Sequence, residues 1–558
     1  TKSTYSFESN DSNQIIYNIK DVIRHTLTVY EQQIINIDDF KIIPQVSQNG
    51  FAAECRLCNN TSQYPNQDKY LNEIKQILIY MQNTVKLSDY KFPGEIISPL
   101  LNVLPFSPYI EYLELPKLSH VDTYDIIRPF LKNNFYLKYL SIEGEKTKFF
   151  SEFLSLLKHN PYSKLNGHSF TNSDLGRTEL DLLYKYCTDQ KIQSLGFHSA
   201  IKRENFDYFY TSFLTPELFD SLYVLNLSGN PKIEIRKLLP RVRQICFLSL
   251  KDCQLEICDV LSSVSGMNRI KCIDLSNNKC STTFNKTLYQ SLKFPPSFDT
   301  LIIDNVSFTS SCIIPFFHFI FERFEHGLKL SVASLIMSGE LWSQFFDFLS
   351  TTAFRSLVSL VWDKNQLNSK LFAFLLKNPY FESLSLNSCF SSNSSSDFIN
   401  ALGLFMQSSK TLKSLSVRGD DEKFLGSALN SLLKLVSSSK SLKFLDVSHS
   451  KCGDSGLANL TNFISQVSLS IEKLVFDDAM PIKKDSIMSL LKKAAKLKDT
   501  VLISFPENDV HRLVEEKVMT KDESSQLRLS FITSHVNEND DKNRHKSESF
   551  FAKSYNIY

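Results

Sequence analysis

Charge of either sign is scarcely in excess in this sequence. Its 62 lysines and arginines stand against 60 aspartates and glutamates, a formal net charge of +2 over 558 residues. A dedicated nucleic-acid binder needs a surplus of cations for the phosphates, so that class is excluded. No run reaches the ~18 apolar residues of a membrane span. The opening TKSTYSFESNDSN is polar and unlike a secretory signal. Glycine is scarce, at 15 residues. The phosphate-cradling signatures G-x-G-x-x-G and G-x-x-x-x-G-K-[ST] are absent, as are H-E-x-x-H and G-x-S-x-G. No cofactor and no metal is expected, and the chain reads as non-enzymatic. Cysteine is sparse and odd in number, at 11, mostly within hydrophobic repeat positions. That usage points to a reducing compartment and free buried thiols. Cys55 and Cys58 form a C-x-x-C without the second pair that a tetrahedral zinc site needs. Asn60 and Asn226 open N-x-[ST] sequons, but without a secretory signal no glycosylation is expected.

What the chain does contain is a repeat. LYVLNLSGN at 222–230 fits L-x-x-L-x-L-x-x-N, the strand segment of a leucine-rich repeat. Leu222, Leu225 and Leu227 point inward, and Asn230 turns the chain off the strand. The pattern recurs as IEYLEL (110–115), LKYLSI (137–142), IQSLGF (192–197), ICFLSL (245–250), IKCIDL (270–275) and FDTLII (298–303). It continues as VASLIM (332–337), LVSLVW (357–362), FESLSL (381–386), LKSLSV (412–417), LKFLDV (442–447) and IEKLVF (471–476), with degenerate copies near 164–170 and 498–503. The central leucine advances by 23 to 34 residues. That leaves room for a helix in each turn, and apolar spacing such as FLSLLKHN and SALNSLLKLVSSS supplies it.

One repeat cannot bury its own apolar stripe, but about 15 stacked repeats make one continuous core. The expected fold is therefore an α/β leucine-rich-repeat solenoid of the ribonuclease-inhibitor-like horseshoe type, with parallel inner strands and outer helices. Residues 1–13 read as disordered and 14–85 as a small α+β module, whose helices cover 14–26 and 66–85. Residues 86–109 read as linker and N-cap, 110–504 as repeats, 505–535 as a helical cap and 536–558 as a disordered tail.

A solenoid aligns equivalent residues into columns. The position between the second and third leucine faces outward on the concave side. It reads Asn226, Ser249, Asp274, Ile302, Ile336, Val361, Ser385, Ser416, Asp446 and Val475. The next outward column reads Ser228, Lys251, Ser276, Asp304, Ser338, Asp363, Asn387, Arg418, Ser448 and Asp477. Ile302, Ile336 and Val361 form an apolar patch, rimmed by Asp304, Asp363 and Asn387, where a partner protein would dock. Ordinary strand propensity is the competing explanation. A second candidate is the basic set Lys483, Lys484, Lys492, Lys493 and Lys496, which would meet an acidic partner or anionic lipid, or serve as a solvated helix face. Trp362 reads as core, and His318 and His326 as solvated helix histidines.

Four stretches carry a family resemblance: IIYNIKDVI (15–23), FLSLLKHNPYSKL (153–165), FPPSFDTL (294–301) and WDKNQL (362–367). They resemble segments of the CARMIL family, cytoskeletal adaptors that regulate actin capping protein. The resemblance implies an N-terminal pleckstrin-homology-like domain, a leucine-rich-repeat horseshoe, and a helical cap that supports a homodimer. It also implies action at the plasma-membrane cortex. The family's capping-protein motif L-x-H-x-T-x-x-R-P-K finds no match before Tyr558, so a tail-less docking scaffold is the expected version. Two other readings compete. One is a structural component of a microtubule or ciliary assembly. The other is an inhibitor or sensor horseshoe.

Overall fold

The computed structural model describes residues 84–531 apart from short breaks, the longest at 283–291. The small α+β module up to residue 83, its C-x-x-C, and the tail 536–558 lie outside the described residues. The chain divides into two compact units, one ending at Ile233 and one beginning at Glu234.

In the first unit six strands run parallel: β1 (Thr84–Lys86), β2 (Tyr112–Leu115), β3 (Tyr139–Glu143), β4 (Gly167–Thr171), β5 (Ser194–His198) and β6 (Val224–Asn226). Among the described residues the second unit has ten in its large sheet, besides the short parallel pair Lys279–Cys280 and Ser307–Phe308: β7 (Phe247–Ser249), β8 (Cys272–Asp274), β9 (Thr300–Ile302), β10 (Leu328–Ser331), β11 (Leu357–Val361), β12 (Ser383–Ser385), β13 (Ser414–Ser416), β14 (Phe444–Asp446), β15 (Lys473–Val475) and β16 (Leu502–Ile503). Parallel neighbours need a crossover, and helices such as Arg177–Gln190, Gly339–Thr351 and Gly453–Ile464 provide it. The leucine-rich-repeat fold expected from the motif is therefore present in both units.

The leucine frame drives the burial. Leu222, Leu225 and Leu227 are all fully buried, and each such side chain contributes about 1.5–3 kcal/mol on leaving water. The helices face the same core at a spacing of three and four, as with Leu429, Leu432, Leu433 and Val436, or Ile487, Leu490, Leu491 and Ala494. Trp362 is core as expected, 2% exposed, with its indole N–H donating to the Gln366 carbonyl at 2.8 Å.

A shared device ends eleven of these sixteen strands. Two residues past the third inward side chain, the backbone turns left-handed: Asn172, Ser199, Gly229, Asp252, Asn277, Asn305, Ser334, Lys364, Ser388, His449 and Asp478 all have φ between 46° and 70°. Each non-glycine residue here is held at a conformational cost. What holds it is the ladder, which continues past the strand. Asn277 N–H donates to the Asp304 carbonyl, Asn305 to Ala333, Ser334 to Asp363 and Lys364 to Asn387, all at 2.7–2.8 Å.

The asparagine that follows satisfies the turn. Asn278 Nδ2 donates to the carbonyls of Leu250 and Leu275 at 2.9 Å, and its Oδ1 accepts from Cys253 N–H (3.2 Å) and Leu255 N–H (2.9 Å). Asn230 does the same, accepting from Ile201 N–H and donating to Leu227 and Phe197. Asn365 bridges Leu335 N–H and the Val332 carbonyl.

The structure corrects two placements. The tenth strand is Leu328–Ser331, not 332–337. Two apolar frames overlap in GLKLSVASLIM, and neighbour spacing chooses between them. Leu330 pairs in register with Leu301 and Leu360, steps of 29 and 30 residues, where Leu335 would require 34 and 25. Ser334 then takes the left-handed position, as the device demands. The parallel strands also begin before residue 110. Thr84–Lys86, read as a helix end, pairs with Tyr112–Glu114 as strand β1, and Val85 is fully buried there. Thr84 and Val85 are β-branched, and the open strand edge outweighs the helical period.

Among the described residues nine cysteines are free, seven of them buried, in line with the thiol reading. Asn278→Ala is expected to strand several buried backbone groups at once. It should lower the urea-unfolding free energy by about 3 kcal/mol. A loss below about 1 kcal/mol would remove the asparagine from this role.

Candidate functional site

Strand registers fix the outward columns. In the second unit the column between the inward residues runs Ser249, Asp274, Ile302, Ser331, Val361, Ser385, Ser416, Asp446 and Val475. Ile336 does not belong to it. With β10 at 328–331, the column position is Ser331. Ile336 instead lies beyond the turn, bridged to Ser307 and 52% exposed. Ile302 and Val361 are therefore half-buried and separated by a serine strand, so the contiguous apolar patch is not formed.

The three residues expected to rim the patch are engaged by the neighbouring turns. Asp304 Oδ1 accepts from Ser331 Oγ at 2.6 Å and from Ala333 N–H at 2.7 Å. Asp363 accepts from Ser385 Oγ (2.6 Å), Asn387 N–H (2.8 Å) and Asn387 Nδ2 (3.0 Å). Asn387 Oδ1 accepts in turn from Ser416 Oγ and Arg418 N–H. These groups pin one repeat to the next. Burial pushes the Asp304 carboxyl up to about 6, with Asp274 and Asp363 adding like charge and the two donors opposing. Burial raises Asp363 as well.

Past β13 the turns carry a polar line that the sequence reading did not single out. The Arg418 guanidinium can only donate, so His449 Nε2 accepts from it at 2.8 Å. His449 Nδ1 then carries the proton and meets Asp478 Oδ2 at 2.9 Å, which Asn508 Nδ2 also reaches. A carboxylate–imidazole pair that ends in a guanidinium has no nucleophile, so it braces turns. Among the described residues no group of three His, Cys, Asp or Glu could hold a metal ion.

The basic set is divided by its helix, Lys484–Ala495. Lys483 and Lys484 sit at its start and Lys492, Lys493 and Lys496 at its end, about 14 Å away at 1.5 Å per residue. Lys484 pairs with Glu523 at 2.6 Å. The five do not converge on one anion. Among the described residues no helix is long and apolar enough to cross a membrane.

In the first unit two aromatic rings stand on the outward face of β2 and β3. Tyr112 and Tyr139 stack at 5.3 Å and both are buried. A side chain at Gly167 would meet the Tyr139 ring at 2.3 Å, so glycine is required there. In the second unit four of the nine residues in the column between the inward positions are serine, while Phe247 and Phe444 stand in the position that Tyr112 and Tyr139 occupy.

No protein-family model matches the sequence, and no similar curated protein is found. Among solved structures the chain is similar to the crystal structure of the mouse RP105/MD-1 complex, at 14% identity and a TM-score of 0.33, over 73% of this chain and 62% of that one. The chain thus spans less than two thirds of that protein's length, and so weak a likeness does not bear on function.

Asp304 titrates higher folded than its ordinary 3.8, so the stability it contributes is complete below pH 3.8 and is lost as pH rises through about 6. Asp304→Asn keeps the Oδ1 acceptor and removes the buried charge. At pH 7.5 the variant should exceed the parent by roughly 1–3 kcal/mol in urea unfolding, and the gain should shrink towards zero near pH 4. A variant weaker at pH 7.5 than at pH 4 would reverse this assignment.

Proposed function

We propose that the chain is a non-enzymatic protein-interaction scaffold whose second unit receives a partner on the outward face of its strands. One observation supports this most. Nine successive positions, Ser249 to Val475, stand in register and carry mostly short side chains. At the spacing of neighbouring strands they form a row about 40 Å long. Stable interfaces bury about 800 Å² per partner, and a surface of that length accommodates one.

The finer reading is a CARMIL-like role in actin assembly at the cell cortex. It rests on the sequences HNPYSKL, PPSF and WDKNQL, of which PPSF leads into β9 and WDKNQL joins β11 to the helix Ser369–Leu375. A cap-mediated homodimer belongs to the same reading. Direct lipid contact through Lys483, Lys484, Lys492, Lys493 and Lys496 is not part of it, because the helix separates them.

Affinity capture with the full chain as bait, followed by mass spectrometry, tests this. Capping protein and actin regulators are the expected catch. Tubulin with axonemal proteins would replace the actin reading with the ciliary one. Val361→Arg should reduce partner recovery at least about tenfold, as for a central interface position. Ile336→Asp should leave recovery unchanged. Equal recovery with both variants, in folded protein, would move the site off the strand face.

A further inference from the structure

The repeat that leads into β9 departs from its neighbours. Its approach carries the insertion Lys293-Phe294-Pro295-Pro296, and this segment walls a cavity of about 500 Å³ together with Phe298, Asn268, Arg323 and Phe324. That volume suits a small ligand or a single large side chain.

The walls are aromatic. Phe294, Phe298 and Phe324 pack with ring centroids 4.8–5.2 Å apart, the first pair edge to face. Phe298 and Phe324 are buried, whereas Phe294 remains half-exposed at the opening. The rim is cationic. Arg323 ends the helix Ile313–Arg323, and its Nε is buried with no hydrogen-bond partner among the described residues. Glu322 beside it meets His318 at 3.3 Å instead. Lys293 is exposed, and neither cation has an ion pair among the described residues.

Arg323 as a whole is half-buried, so the exposed part of its guanidinium is what a ligand in the cavity meets. Two cations match a dianion, and a guanidinium holds phosphate oxygens in a fixed fork. Phe294, held in place by Phe298 and Phe324, presents an aromatic wall that suits a flat ring more than a chain. We propose that this cavity binds an aryl phosphate, with the phosphate on Arg323 and Lys293 and the ring against Phe294, which Phe298 and Phe324 back. The source is a phosphotyrosine side chain of a protein segment or a free aryl phosphate ester. The site is independent of the strand face proposed above for protein docking.

Calorimetric titration of the full chain with phenyl phosphate tests the proposal. One saturable site per chain is expected, with inorganic phosphate binding at least about tenfold more weakly because it lacks the ring. Lys293→Ala and Arg323→Met should each weaken phenyl phosphate about tenfold or more. Lys293 is exposed, so its variant keeps the fold, and circular dichroism checks the other. A phosphotyrosine hexapeptide that binds tighter than phenyl phosphate supports a protein segment as the source, and one that binds equally or more weakly supports the free ester. No saturable binding of phenyl phosphate, equal binding of inorganic phosphate, or unchanged binding by the two folded variants would overturn the proposal.

Discussion

The structure depends on how each strand is ended. A strand buried on its inner face must leave the sheet through a turn that is itself covered by the next repeat. The amides in that turn cannot reach water, so each needs a partner inside the stack. Here the chain meets the requirement with a left-handed residue that lets the backbone ladder run on. Asn172 N–H reaches His198, Ser199 reaches Ser228, and Asp252 reaches Ser276, all at 2.9 Å. The asparagine one residue further on then holds two repeats together through both ends of its amide. Because every repeat lends partners to its neighbour, stability passes from each interface to the next, as expected for a stacked array.

The same position tolerates chemistry weaker than asparagine. Cys389 stands there after β12, and its Sγ reaches the carbonyl of Trp362 at 3.3 Å, the bond that Asn278 makes to Leu250. Cys253 Sγ reaches the carbonyl of Lys251 within its own turn, at 3.4 Å. Val306 and Leu335 form no side-chain bond there and are simply buried. At Leu335 the next repeat's asparagine compensates, since Asn365 Oδ1 accepts from Leu335 N–H at 2.8 Å. Thiols at these positions are weak donors in a packed interior, which explains why so many cysteines sit in the frame without forming bridges.

Much of the fold was legible because it depends on spacing alone. The leucine frame placed most strands within a residue or two, and even the degenerate copy near 164–170 proved to be β4, with buried His168 in the leucine's place. The frame failed at 328–337, where two apolar series overlap and only the neighbouring strands decide. The candidate site was less legible for a related reason. Whether Asp304 points to solvent depends on Ser331, which lies 27 residues away in sequence. A usable signal did exist. Asp304 with Ser331, Asp363 with Ser385, and Asn387 with Ser416 repeat one pairing of turn carboxyl or amide with the next strand's serine. Aligning the two columns against each other, instead of reading each alone, would have marked these residues as structural.

That pairing also narrows where recognition can occur. On the face of the second unit, the hydroxyls of Ser249, Ser331, Ser385 and Ser416 are all bonded to neighbouring turn or strand groups. Asp446 accepts from Ser448 and Asp274 from Ser276 in the same manner. A partner gains little from polar groups already satisfied, because breaking such a bond offsets making a new one. The column residues without such bonds are Ile302, Val361 and Val475, spaced along the row. Beside them run exposed ion pairs, Glu382 with Lys413 and Lys443 with Glu472. Exposed pairs exchange partners at small cost. Specificity on this face therefore falls to separated apolar contacts set against a charged flank. The serines and aspartates between them keep the strands in register.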